Sequence, residues 1–262
     1  MKKYMFLIYV YIKKRTAYKF DIIVGYVFAL VIAFTYKYFW ASLAMHGKIP
    51  QGELSDYISY SALTTIMSLI LGGEMIGSFG DKIRDGSVVS DLQKPLSFQV
   101  YTMVSGFGSL AGNILFNMLP RFIAIYLAIG IYTPTKPLSV LLFAASFFLG
   151  CLIALSIDYI LSIFAIYFVE VISLIILKGV VIGLFAGAII PLWIFPQWLL
   201  DIINLLPFRL MCFSPASIYL EKVSYIDAMN LLLLQVFWIV ALTVVGKVIS
   251  HICLKRITVA GG

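Results

Sequence analysis

The sequence predicts an all-α membrane protein: six transmembrane helices in one domain over residues 1–262, with an interfacial helix at the N-terminus. Three observations carry that expectation. The chain is 62% hydrophobic and 12% charged, whereas a soluble domain carries about 25% charged residues. Its mean hydropathy of +1.04 exceeds what a soluble core of this size can hide. Between long apolar runs lies one polar stretch, Ser78 to Gln99, holding Asp81, Lys82, Arg84, Asp85, Asp91 and Lys94. In hydrocarbon each such charge costs roughly 2.5–3.5 kcal/mol or more. The stretch therefore lies in water, and its mixed charge suits docking against another protein.

At the N-terminus, Lys2 and Lys3 precede an apolar run from Tyr4 to Ile12, and Lys13, Lys14 and Arg15 follow it. A cleavable signal needs small residues there, and nine apolar residues are too few to span. Residues 1–19 are expected to lie in the membrane interface with their lysines reaching toward headgroups. The first span runs from about Phe20 to Trp40, long enough at 1.5 Å per residue to cross the hydrocarbon. Gly47, Pro50 and Gly52 then mark an outward loop. A second span, Tyr57 to Gly77, is rich in Ser, Thr and Gly, which favours close helix packing.

The charged loop, residues 78–99, returns the chain to a third span from Tyr101 to Ile131, interrupted at Pro120 and Arg121. Tyr132 to Pro137 is a tight outer turn. From Leu138 to Trp198 only Asp158, Glu170 and Lys178 are charged, which suits two spans joined near Phe168 to Ser173. Residues 194–224, broken by prolines, read as short re-entrant or interfacial helices on the outer face. The last span, Ala228 to Ile252, ends at Lys255 and Arg256.

Cation placement gives the orientation. Six cations lie in the N-terminal segment, three in the charged loop, three near the C-terminus, and Lys178 at the expected inner hairpin, thirteen in all. Lys37, Lys48, Lys136, Arg209 and Lys222 fall on the other side. The excess places both termini in the cytoplasm of a multi-pass protein of the cell (inner) membrane. The net charge of +7 is thus read through topology, not as affinity for nucleic acid.

Several chemistries are excluded. No Gly-x4-Gly-Lys-Ser/Thr loop occurs, and no aqueous segment is long enough for a nucleotide-binding domain. His46 and His251 are expected at opposite ends of the membrane, and no metal-ligand spacing is present. Cys151, Cys212 and Cys253 are scattered and odd in number, which fits packing residues and not a disulfide framework. Arg121, mid-span beside a kinking proline, has two readings. It lines a transport path, or it pairs with a carboxylate such as Asp158 or Glu74 for structure alone. Asp158 is the other candidate lining residue. Glu170 and Lys178 either share a helical face or mark the inner hairpin, the latter being expected. Gly179, Gly183 and Gly187 form a small-residue stripe suited to intrachain packing or to a subunit interface.

The run Ile83-Arg84-Asp85-Gly86, followed by Asp91-Leu92-Gln93-Lys94-Pro95-Leu96, resembles the cytoplasmic loop of type-2 permease subunits of ATP-binding cassette exporters. There an Ile-Arg-x-Gly element leads to Leu-x-Arg/Lys-Pro-Leu. Ile190-Pro191-Leu192, Phe195-Pro196, Trp198, Leu206-Pro207-Phe208-Arg209 and Ser214-Pro215 resemble the family's outer segment before its last span. Lys94 stands where that pattern most often has arginine, which keeps the charge but loses bidentate pairing. The resemblance implies a half-transporter: two permeases, identical or related, with two separate ATP-binding cassette subunits that hold ATP and Mg, so that this chain carries no cofactor. It implies that Ile83, Arg84, Asp85, Gly86, Asp91, Leu92, Lys94 and Pro95 form a cytoplasmic coupling helix between spans 2 and 3 that receives motion from the ATPase, and that the complex exports a cargo. An ion-coupled secondary transporter would need carboxylates in the membrane, where Asp158 is nearly alone. An intramembrane enzyme would need a catalytic pair.

Overall fold

The computed structural model describes residues 2–15, 19–92, 97–165 and 171–254. Among the described residues every regular element is a helix. The N-terminal run forms α1 (Lys2–Arg15), which lies along the third span and there presses Ile8 and Tyr11 against Gly108. Next come α2 (Lys19–Met45) and α3 (Leu54–Ile70). The expected second span breaks at Leu71 to Gly73, where Gly73 adopts φ 79°, a conformation open to glycine at no steric cost. α4 (Glu74–Arg84) then carries the helix into the polar stretch as far as Arg84. After α5 (Val88–Leu92), the third span is α6 (Phe98–Asn113), a π-helical turn (Ile114–Met118) and α7 (Leu119–Ile129).

The π turn has a local cause. Pro120 has no N–H and its ring crowds the carbonyl four residues back, that of Phe116. The turn widens there, and Tyr26 on α2 donates its hydroxyl to the Phe116 carbonyl at 3.0 Å. The interruption expected at Pro120 is thus a bulge within one continuous span.

α8 (Pro137–Phe164) is the central helix, in contact with α4, α6, and the later α11 (Phe213–Tyr219) and α12 (Tyr225–Leu254). Between them come α9 (Val171–Phe185) and α10 (Gln197–Asn204). Five helical stretches are long and apolar enough to cross a bilayer: Ile23–Met45, Gln51–Arg84, Phe98–Ile129, Pro137–Phe164 and Tyr225–Cys253. α10 with Phe208–Tyr219, bent by 79°, makes a sixth if taken as one broken span. The expected fifth span is the short α9, whose 15 residues rise only about 22 Å against a hydrocarbon core of about 30 Å.

The core gathers Tyr60, Leu63, Ile66 and Met67 of α3 with Ile153, Tyr159 and Ile163 of α8 and the turn at Leu210 and Met211, all nearly inaccessible. α2 and α12 instead leave Ile23, Val27, Val31, Leu233, Val240 and Val244 exposed. That is the exterior of a chain whose solvent is lipid, where apolar side chains gain nothing by hiding. The glycine stripe does not form one seam. Gly187 lies past the end of α9 at φ 70° under Tyr60 and Leu192, Gly183 meets Ile189 of the same turn, and Gly179 faces open space.

Candidate functional site

The charged loop is built from the α4–α5 hairpin. Gly86 makes the turn at φ 76°, and Asp85 closes it by accepting the Ser87 amide on Oδ1 at 2.9 Å. The Ser87 hydroxyl, with that amide, holds the Asp85 carboxyl below the usual carboxylate range. Lys82 on α4 reaches Asp91 on α5 at 2.6 Å and lies 5.5 Å from the Tyr101 ring centroid. The tip presents Asp81, Arg84, Asp85, Gly86, Ser87 and Ser90 to the surface.

The described apolar side chains of the hairpin, Ile83 and Val88, turn the other way. Val88 is 9% exposed and sits in a cluster with Ile76, Phe79, Val171 and Leu174, with Ile83 packed against it. Buried Val88 and half-buried Ile83 thus pin the hairpin to its own α4 and α9. The side chain of Leu92, and Lys94 and Pro95, lie outside the described residues.

The intramembrane charges pair differently from the expectation. Lys178 lies mid-α9, 4% exposed, so it is not a marker of the inner hairpin. It forms an ion pair with Asp158 of α8 and donates to the Leu71 carbonyl at 2.5 Å, where α3 ends. A buried ammonium so held joins α3, α8 and α9 at the break before α4. Glu170 lies outside the described residues.

Arg121 and Asp158 are therefore not partners of each other through any bond described. Arg121 Nη2 donates to Asn117 Oδ1 at 3.3 Å, Asn117 donates to Asn113 Oδ1 at 2.9 Å, and Asn113 donates to Glu74 Oε2 at 3.0 Å. Two asparagines thus connect the arginine to Glu74, one of the two carboxylates expected as its partner. The guanidinium lies over the Tyr26 ring, 5.8 Å from its centroid, in space that exists because Gly25 has no Cβ. A methyl group at Gly25 would run into it.

At the end of the molecule away from the hairpin, Glu221 is a hub. Held at φ 55°, it accepts from the hydroxyls of Tyr132, Thr135 and Ser139 and from the Lys136 amide, all within 3.0 Å. The Thr135 hydroxyl, then those of Tyr132 and Ser139, lower its carboxyl to about 2. Lys222 beside it pairs with Asp56 at 2.5 Å. Sequence reasoning missed this hub, because it joins an irregular segment to a turn 85 residues away at Lys136. It missed Asn113 and Asn117 too, although their four-residue spacing to Arg121 was a readable signal.

A helical bundle with an exposed charged hairpin and a polar line through one span fits many transporters, and comparison with known families decides among them. Residues 50–261 match the model of an ABC-2 family transporter protein. The chain belongs to the ABC-2 transporter family. No curated protein and no solved structure gives a significant match. Membership makes it a multi-pass membrane protein of permease type, a transport component associated with ATP-binding cassette subunits. The match takes in every span from α3 onward, including the α4–α5 hairpin and the Glu221 hub.

Proposed function

We propose that this chain is the membrane-spanning permease subunit of an ATP-driven exporter, working as one of two permeases, identical or related, on two separate ATP-binding subunits. No covalent chemistry takes place on it; ATP and Mg are held by the partner. The observation that carries the reading is the α4–α5 hairpin, whose charged tip is exposed while the Lys82–Asp91 pair ties its two helices together and Ile83 and Val88 pack it against α9. A push on Arg84 and Asp85 reaches α4 directly, and the break at Leu71 to Gly73 lets α4 tilt against Lys178 and Asp158. Charged rims of this kind set register and encounter rate between partners.

The cation excess supports the hairpin and both termini lying in the cytoplasm. With Lys178 buried, the balance is twelve against five. An ion-coupled carrier would have to use Asp158, and that carboxylate is tied to Lys178. The test is co-purification of the ATP-binding subunit with Arg84→Ala/Asp85→Ala. Binding falls while membrane insertion persists; undiminished recovery of the ATPase overturns the coupling role.

A further inference from the structure

Where the last turns of α12 pass the start of α6, the two helices leave an open groove of about 650 Å³, within the range of small-molecule pockets. Phe98 and Gln99 of α6 line it with Lys247, Val248, His251 and Ile252 of α12. α12 is fastened at this level. Gln99 Nε2 donates to the Thr243 carbonyl at 3.0 Å, and Gly246 lets α12 close on the Tyr159 ring, where a Cβ would stand 3.0 Å from Cδ1. Phe98 packs on Phe79 of α4 with ring centroids 5.6 Å apart, so the groove adjoins the hairpin.

Two stripes on α12 meet in this groove. The first is polar: Lys247 and His251, four residues apart and so neighbours on one helical face, are both exposed. Among the described residues neither has an ion pair or a hydrogen bond, and no described carboxylate lines the groove. The second stripe is apolar. Val240, Val244, Val248 and Ile252 repeat every four residues, each more than half exposed, and run from the groove toward the middle of α12. Charge and shape together select the occupant. Free phosphate would meet the polar stripe and leave the apolar one unused. A zwitterionic lipid would cover the apolar stripe but bring a cation of its own beside Lys247. An anionic phospholipid matches both stripes, as basic pockets between spans do for anionic headgroups.

We propose that this groove binds one anionic phospholipid, its phosphate held by Lys247 and a ring N–H of His251 and an acyl chain laid along Val248, Val244 and Val240. The ammonium supplies a point charge and the imidazole a directed donor. The lipid goes beyond the transport reading and depends on neither the cargo nor the ATP-binding subunit. Its headgroup, beside Phe98, lies one side chain away from Phe79 of α4.

Native mass spectrometry of the full chain in non-ionic detergent, titrated with dioleoylphosphatidylglycerol or dioleoylphosphatidylcholine, counts the lipid retained. The wild type is expected to hold one phosphatidylglycerol saturably, about tenfold tighter than phosphatidylcholine, and inorganic phosphate in large excess is expected not to displace it. Lys247→Gln should weaken phosphatidylglycerol about fivefold, the contribution of one cation beside an anionic headgroup. Lys247→Gln/His251→Gln should bring it to the phosphatidylcholine level. Lys48→Gln, which removes a cation far from the groove, should leave binding unchanged. Both groove side chains are exposed, so the variants are expected to elute as a single species; if the double variant does not fold, Lys247→Gln alone decides. Equal retention of the two lipids, wild-type affinity in the groove variants, or an equal loss in Lys48→Gln overturns the proposal. Full displacement by inorganic phosphate also overturns it, since the groove would then be a site for a free anion. The measurement omits the ATP-binding subunit, so its failure leaves the docking role of the hairpin standing, and failure of docking leaves this site standing.

Discussion

Lys178 and Glu221 anchor the two ends of the molecule by opposite means. Lys178 is buried with its partner, their side chains 3% and 7% exposed, so removing one leaves the other charged in a medium that cannot solvate it. Lys178→Met is expected to destabilise the protein by about 3–5 kcal/mol, and Lys178→Met/Asp158→Leu to recover most of that loss, both read by thermal unfolding in detergent. A double variant no better than the single one would show that the pair is not what Lys178 supports. Glu221 acts as an acceptor for four donors at the mouth of α8. Its carboxyl is lowered from 4.5 to about 2, so it stabilises the fold fully above the upper value and loses that contribution as pH falls through the lower one. Between pH 5 and 2 the thermal midpoint of the wild type should fall further than that of Glu221→Gln, which has no carboxylate to protonate. Equal falls would remove the hub from the account.

At the scale of elements, the third span shows how a proline writes structure into a neighbour. Pro120 frees the Phe116 carbonyl and Tyr26 satisfies it at 3.0 Å. Tyr26→Phe should therefore cost about 0.5–1.5 kcal/mol, and much less in a Pro120→Ala background, where residue 120 supplies the N–H and the π turn can relax to α. A double-mutant cycle measures the coupling; strictly additive effects would contradict this origin for the bulge.

Much of this architecture was legible in the residues. Apolar run lengths placed α2, α8 and α12, and Gly86 marked the hairpin turn. The break at Gly72 and Gly73 was hidden, because two glycines inside an apolar run read as packing positions. Lys178 was misplaced for a related reason. A lone cation in a long apolar stretch reads as its boundary, and its partner Asp158 is twenty residues away on another helix. The packing of Val88 against α9 carries no sequence signal, because exposure within a short amphipathic hairpin depends on which helix covers it.

For the whole molecule, the spans, the exposed tip and the polar line through α6 and α7 describe a lever set on a lipid-solvated bundle. In the function proposed, the hairpin receives force at one end; Glu221 and the Asp56–Lys222 pair tie the segments at the other. The most direct test is site-specific photocrosslinking in the assembled transporter, with a photoreactive residue at Ser87 on the tip or at Lys48 on the opposite loop. The account predicts a crosslink from Ser87 to the ATP-binding subunit, changing in yield with bound nucleotide, and none from Lys48. A crosslink from Lys48 with none from Ser87 would contradict it.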